Sequence, residues 1–133
     1  MAFRKFIEAA LDGRTFRVYG DGSQTRDFTY VADAVRSNLL AVAADEDWAV
    51  FNTGGGSRLV FRDTLERLQA ILVDRECGLK AAIEYTETAK GDVKDTFADR
   101  RHVEEAIGYR PTVAFDVGLA REVDWAIARR RQG

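Results

Sequence analysis

Fourteen residues, Gly20 to Asp33, hold a glycine-hinged turn, a fixed cation at Arg26 and an aromatic pair at Phe28 and Tyr30. Arginine offers a planar fork of donors that matches phosphate oxygens. An aromatic face stabilises a flat ring by stacking. Together these residues suit an anionic ligand that carries a ring. Plainer readings stand beside this one. Arg26 next to Asp27 can fix the turn as an ion pair, Tyr19 can close a strand as a core residue, and Asp92 after Gly91 can be a turn residue. Asp27, Asp33 and Asp99 read as helix caps and structural acceptors rather than catalysts.

Other chemistry is poorly supplied. Cys77 is the single cysteine, so no intrachain disulfide or cysteine zinc site can form, and a reducing cytoplasm is expected. The single histidine, His102, lies among Asp99, Arg100, Arg101 and Glu104, as on a solvated helix. Twenty basic and 22 acidic residues leave a formal charge of −2, with no electrostatic footprint for nucleic acid or an acidic membrane. Arg129-Arg130-Arg131 suits the negative end of a helix dipole. No apolar run approaches membrane-spanning length, and no signal peptide is visible.

The 133 residues fit one domain, too short for a full dinucleotide fold plus a substrate domain. Helical spacing of Phe3, Phe6, Ile7, Ala10 and Leu11 predicts a helix over 2–12, ended by Gly13. Strands are predicted at 16–19, 27–30, 48–52 and 81–85. Helices are predicted at 31–44, 61–75, 100–107 and 116–130. The second helix shows an apolar stripe of Val31, Ala34, Val35, Leu39 and Val42. The third shows Phe61, Leu65, Leu68, Ile71 and Leu72. The last shows Val117, Leu119, Ala120, Val123, Trp125, Ala126 and Ile127. Alternating strands and helices give an α/β class with too few strands for a complete doubly wound sheet. Thr53-Gly54-Gly55-Gly56-Ser57 reads first as a tight strand-to-helix turn. A phosphate loop is the other reading, but the third glycine of a dinucleotide fingerprint is missing.

Four landmarks occur in order along the chain. They are Val18-Tyr19-Gly20-Asp21-Gly22 with Arg26-Asp27-Phe28-Thr29-Tyr30-Val31; Phe51-Asn52-Thr53-Gly54; Gly91-Asp92 followed by Ala98-Asp99; and Gly108-Tyr109-Arg110-Pro111. From Phe3 to about Trp125 the chain resembles the C-terminal, substrate-binding part of NAD-dependent nucleotide-sugar epimerases and dehydratases. These are extended short-chain dehydrogenases/reductases of the UDP-glucose 4-epimerase type. The resemblance implies a small partial α/β domain over 1–133 that holds a UDP- or dTDP-sugar. The backbone around Val18 and the ring of Tyr19 would hold the base, Arg26 the diphosphate and Asp92 the ribose hydroxyls. Many relatives place a second phosphate-binding arginine where this chain has Ala89. Lys90 beside it would substitute as a point charge without the fork geometry. Relatives often cap the third helix with a serine, where Val60 stands here.

The family's chemistry also needs NAD on a Gly-x-Gly-x-x-Gly turn and a Tyr-x-x-x-Lys acid/base pair. Four residues after Tyr19, Tyr30, Tyr85 and Tyr109 stand Ser23, Ala34, Ala89 and Val113, none of them lysine. The resemblance thus implies NAD for a parent enzyme, no cofactor site or catalytic residue in this chain, and no turnover by it alone. Two further expectations follow. Apolar surface that faces a cofactor half in relatives, with an open edge at 48–52, favours self-association or strand exchange. The missing half could also be supplied by a separate polypeptide.

Overall fold

The computed structural model describes residues 2–44, 49–75, 79–88 and 91–132. Cys77, Ala89, Lys90 and the first residue of the strand expected at 48–52 lie outside them. In chain order the elements are α1 (Ala2–Leu11), β1 (Phe16–Tyr19), β2 (Thr25–Asp27), α2 (Val31–Ala43), β3 (Arg58–Val60), α3 (Phe61–Arg75), β4 (Ile83–Thr86), α4 (Arg101–Ile107) and α5 (Phe115–Gln132).

The strands form two pairs. β1 and β4 run parallel, with Phe16 opposite Ile83 and Tyr19 opposite Thr86. A parallel pair needs a long crossover, and α2 and α3 lie in the connection. β2 and β3 run antiparallel, with Arg26 opposite Leu59. The class is therefore mixed α/β, as expected.

The core lies where α1, α3 and α5 meet the inner face of β1. It contains Phe6, Ile7 and Ala10 from α1, Leu65, Leu68 and Leu72 from α3, Leu119, Val123 and Ile127 from α5, and Val18. Each large side chain among them contributes roughly 1.5–3 kcal/mol by leaving water. At one end Phe3, Phe28 and Phe115 pack ring to ring, with centroids 4.6 Å (Phe3–Phe28), 5.8 Å (Phe3–Phe115) and 5.5 Å (Phe28–Phe115) apart. Gly13 stops α1 and Gly108 caps α4, both in the left-handed region at φ 65°.

Several sequence expectations are corrected. No strand forms over 49–52; Val50 is 81% exposed there, because an extended run becomes a strand only against a bonded neighbour. β3 occurs instead at 58–60, a segment read from the sequence as the lead into α3. The strand expected at 27–30 is shifted to 25–27, because Thr25 pairs with Val60 and Asp27 with Arg58. On α5 the packed side is Gly118, Leu119, Val123 and Ile127, while Val117 and Trp125 fall about half exposed beside it.

The sequence reading left open which way α2 faces. Its apolar stripe faces outward: Val31, Val35, Leu39 and Val42 are all exposed, and the residues it buries are Asp33 and Ser37. The inward face is polar because it binds the segment before α5. Asp33 Oδ1 accepts the Thr112 N–H at 2.9 Å and the Thr112 hydroxyl at 2.7 Å, and Oδ2 accepts the Val113 N–H at 3.1 Å. Arg36 Nη1 donates to the Arg110 carbonyl at 2.8 Å.

Val60 cannot cap α3, and no side chain is needed there. The Phe61 N–H donates to the Gln24 carbonyl at 2.8 Å and the Arg62 N–H to the Gly22 carbonyl at 2.9 Å. The turn of the Gly20–Asp33 run therefore serves as the cap of a core helix.

Candidate functional site

Arg26 lies at the centre of β2, and its side chain is fixed from three sides. Nη2 donates to Asp92 Oδ1 at 2.7 Å, while Nη1 donates to the Thr25 carbonyl at 2.8 Å and the Lys94 carbonyl at 3.1 Å. The ion pair is partly solvated, with 24% of the Arg26 side chain and 34% of the Asp92 side chain exposed. Asp27 is not the partner of Arg26, so the adjacent-residue ion pair is not formed.

Asp92 reaches Arg26 because the segment after it is stitched to β2. The Thr25 N–H donates to the Lys94 carbonyl at 2.9 Å, and the Thr96 N–H donates back to the Thr25 carbonyl at 3.2 Å. The Thr25 hydroxyl donates to Asp95 at 2.6 Å, and Arg58 Nη2 lies 3.0 Å from the same carboxylate. The Thr25 and Arg58 bonds hold the Asp95 carboxyl below its ordinary value. Asp95 is thus a positioning residue that no sequence motif marked.

An open cleft of about 550 Å³ lies beside the pair, and Val18, Tyr19, Gln24, Arg26 and Asp92 all line it. Alternation along β1 divides these roles. The Val18 side chain is buried, so Val18 offers backbone alone, and its carbonyl also accepts the Thr86 hydroxyl at 3.2 Å. Tyr19 points outward, 58% exposed, and is not a core residue. Gln24 Nε2 donates to the Tyr19 carbonyl at 3.2 Å and ties the turn to the strand end.

Two cations that the sequence reading missed, Lys5 and Arg17, also line the cleft. Lys5 lies on the exposed side of α1. Arg17 Nε is held 2.9 Å from Glu84 across the β1–β4 pair. The only available signal for Lys5 was its place one residue before the buried Phe6. Four of the five sequence-predicted site residues, Val18, Tyr19, Arg26 and Asp92, therefore share one cleft. The fifth, Lys90, lies outside the described residues.

The glycine loop has a different job. A Cβ at Gly55 would lie 1.8 Å from the Phe28 carbonyl oxygen, and one at Gly54 would lie 2.5 Å from Asp27 Oδ2. Asp27 accepts the Ser57 N–H at 3.4 Å and the Ala98 N–H at 3.3 Å. Gly56 is packed against the Arg100 guanidinium. The room that the glycines create is filled by Asp27, Phe28, Ala98 and Arg100, and β3 rather than a helix follows the loop. These residues do not fit a dinucleotide pyrophosphate.

The other aspartates act as structural acceptors. Burial pushes the Asp33 carboxyl up, but the Thr112 hydroxyl, the Thr112 and Val113 N–H groups and Arg36 hold it below its ordinary value. Asp99 accepts the Arg101 N–H at 3.1 Å, and bonds from the Arg101 side chain and backbone lower its pKa to about 2. Buried Tyr109 donates its hydroxyl to the Gly54 carbonyl at 3.2 Å. Among the described residues no group of His, Asp and Glu could hold a metal ion, and no helix is long and apolar enough to cross a membrane. His102 packs against Phe51 with ring centroids 5.2 Å apart.

Residues 1–54 match the sequence profile of the NAD dependent epimerase/dehydratase family. The chain is 31% identical to UDP-glucuronate 4-epimerase of Thermodesulfobacterium geofontis over 95% of its own length and 38% of that protein's. Its fold superposes on the UDP-glucuronic acid 4-epimerase of Bacillus cereus, solved with UDP-glucuronic acid and NAD, with a TM-score of 0.83 at 29% identity, covering 97% of this chain and 40% of that one. It superposes equally on DesIV, the dTDP-glucose 4,6-dehydratase of Streptomyces venezuelae, solved with NAD and TYD bound. There the TM-score is 0.85 at 30% identity, covering 99% of this chain and 40% of that one. The chain thus spans about two fifths of the length of the relatives it matches.

Proposed function

This chain is a member of the NAD-dependent epimerase/dehydratase family that covers part of the family fold, and on that footing we propose that it is the nucleotide-sugar-binding portion of such an enzyme. The cleft beside Arg26 takes the nucleoside diphosphate of a UDP- or dTDP-sugar. Arg26 pairs with the diphosphate, because its fork is already aimed by the Thr25 and Lys94 carbonyls. Asp92 accepts hydroxyl protons of the ribose. The exposed Tyr19 ring and the backbone at Val18 hold the base, and Lys5 and Lys90 supply further positive charge.

One observation carries this reading. Arg26 and Asp92, 66 residues apart in sequence, meet at 2.7 Å on the wall of an open cleft that also presents Tyr19. Relatives with this architecture are solved with UDP-glucuronic acid, TYD and NAD. NAD belongs, on this reading, to a parent enzyme, where it supplies reversible hydride transfer. This chain supplies binding and orientation, not turnover.

Calorimetry with UDP, UDP-glucose and TDP at millimolar concentration tests it. Saturable binding is expected, weakened at least tenfold by Arg26→Ala, since a charge-assisted bond contributes about 1.5–3 kcal/mol. Absence of heat with all three nucleotides, or binding indifferent to Arg26→Ala, overturns the proposal.

A further inference from the structure

Three side chains from three segments form a closed brace behind Asp92. The Thr25 hydroxyl on β2 donates to Asp95 Oδ1 at 2.6 Å. Arg58 on β3 donates through Nε to the Thr25 hydroxyl at 3.1 Å, and its Nη2 lies 3.0 Å from the same Asp95 oxygen. Because the Thr25 and Arg58 bonds keep the Asp95 carboxyl below its ordinary value, the brace stays charged at neutral pH. Neither Arg58 nor Asp95 lines the cleft, so whatever they do for a ligand they do through another residue.

Backbone contacts carry the brace along β2. Thr25 forms a parallel bridge with Asp95, and the Asp27 N–H donates to the Thr96 hydroxyl at 3.4 Å. The Ala98 N–H donates in turn to Asp27 Oδ2 at 3.3 Å. Residues 94–98 are thereby pinned beside β2, and Asp92 lies just before the pinned run. Its own Oδ1 is held by Arg26 Nη2 at 2.7 Å. Among the described residues its Oδ2 has no hydrogen-bond partner, and Asp92 lines the open cleft.

We propose that the Arg58–Asp95–Thr25 brace makes the cleft selective for ribonucleoside over 2′-deoxyribonucleoside diphosphates, by holding Asp92 where the 2′- and 3′-hydroxyls of a ribose both donate to it. The inference rests on the nucleotide reading of the Arg26 cleft and narrows it to the ribose class. A carboxylate only accepts hydrogen bonds, so it needs donors from the ligand. On a loose loop it would turn to water when a hydroxyl is missing, and little would be lost. Held from behind by the brace and from the side by Arg26, it cannot follow the ligand. A site fixed in this way rejects the analogue that lacks a hydroxyl, because its acceptor is left unpaired. Arg58 and Asp95 are therefore positioning residues for selectivity.

Calorimetry with UDP and 2′-deoxy-UDP, which differ in one hydroxyl, tests the assignment. The wild-type chain is expected to bind UDP about tenfold more tightly, the weight of one hydrogen bond to a charged group. Arg58→Ala and Asp95→Ala should each reduce that ratio to about twofold or less, an effect that a purely structural role would not produce. The Arg58 and Asp95 side chains are 54% and 43% exposed, so both variants should fold. Hydrogen exchange followed by NMR on the ligand-free chain gives a readout that needs no nucleotide. The Thr96 amide, bonded to the Thr25 carbonyl, should exchange at least about fivefold faster in both variants. Equal binding of the two nucleotides by wild type, or a ratio indifferent to both variants, overturns the proposal and leaves the nucleotide reading in place. Unchanged exchange at Thr96 overturns it as well. Absence of binding by either nucleotide overturns both readings.

Discussion

Arg26 Nη2 lies 2.7 Å from Asp92 Oδ1, so the cation assigned to a diphosphate already rests on the carboxylate assigned to a ribose. A ligand phosphate must share the guanidinium with Asp92, and the remaining contacts to Thr25 and Lys94 keep the fork in place meanwhile. Asp92→Asn retains an acceptor for hydroxyls while removing the competing charge. Its UDP affinity is expected to change by no more than about threefold, against at least tenfold for Arg26→Ala. Calorimetry on the two variants side by side checks the ranking. A larger loss for Asp92→Asn would make the carboxylate, not the arginine, the principal anchor.

Lys5 is the cation that α1 brings to the same cleft. If it contributes charge to phosphate binding, Lys5→Ala should weaken UDP about threefold at low salt and make little difference at 1 M salt, where the Debye length falls to about 3 Å. Its exposure predicts no change in thermal midpoint. Equal loss at both salt concentrations would show a contact other than charge.

Asp33 joins α2 to the segment before α5 through three hydrogen bonds. Asp33→Ala leaves those donors without a partner in a site 1% exposed and should cost about 2–3 kcal/mol in urea unfolding. Its pKa in the folded chain lies below the ordinary 3.8. The stabilisation is therefore complete above pH 3.8 and is lost as the pH falls through the lower folded value. Wild type should lose stability in that acid range, and Asp33→Asn should show a smaller loss from a lower plateau. Identical acid limbs would remove Asp33 from the account.

The two kinds of glycine separate cleanly. Gly55→Ala would drive a Cβ to 1.8 Å from the Phe28 carbonyl and should destabilise by at least about 3 kcal/mol. Gly13→Ala meets nothing within 4 Å and pays only for φ +65°, about 1 kcal/mol. Chemical denaturation of both variants checks the contrast, and a mild Gly55→Ala would mean that the loop can move off β2.

Much of the scaffold was legible in residue order. The spacing of Phe6, Ile7 and Ala10, and of Leu65, Leu68 and Leu72, marked α1 and α3 with their buried faces, and Gly13 marked the end of α1. The motif around Arg26 and the Gly91-Asp92 pair marked the cleft. β3 escaped notice because three residues carry too little alternation to distinguish a strand from a helix lead-in.

Periodicity states which residues share a face; it does not state which face turns inward. For α1 and α3 the apolar face found a core, so local pattern and tertiary outcome agreed. For α2 the spacing marked the apolar stripe but not its side, and Val31, Val35, Leu39 and Val42 turn outward. The Thr112 and Val113 donors, about eighty residues away in sequence, claim Asp33 for the interior. The same distance effect decided the site. Sequence by itself determined that an arginine, an aspartate and a tyrosine were present in a recognisable order. Only the pairing of Thr25 with Lys94, Asp95 and Thr96 brought Asp92 to Arg26, and only the packing of α1 brought Lys5 beside them. Such contacts join segments far apart in the chain, so their partners are defined only once the backbone has closed on itself.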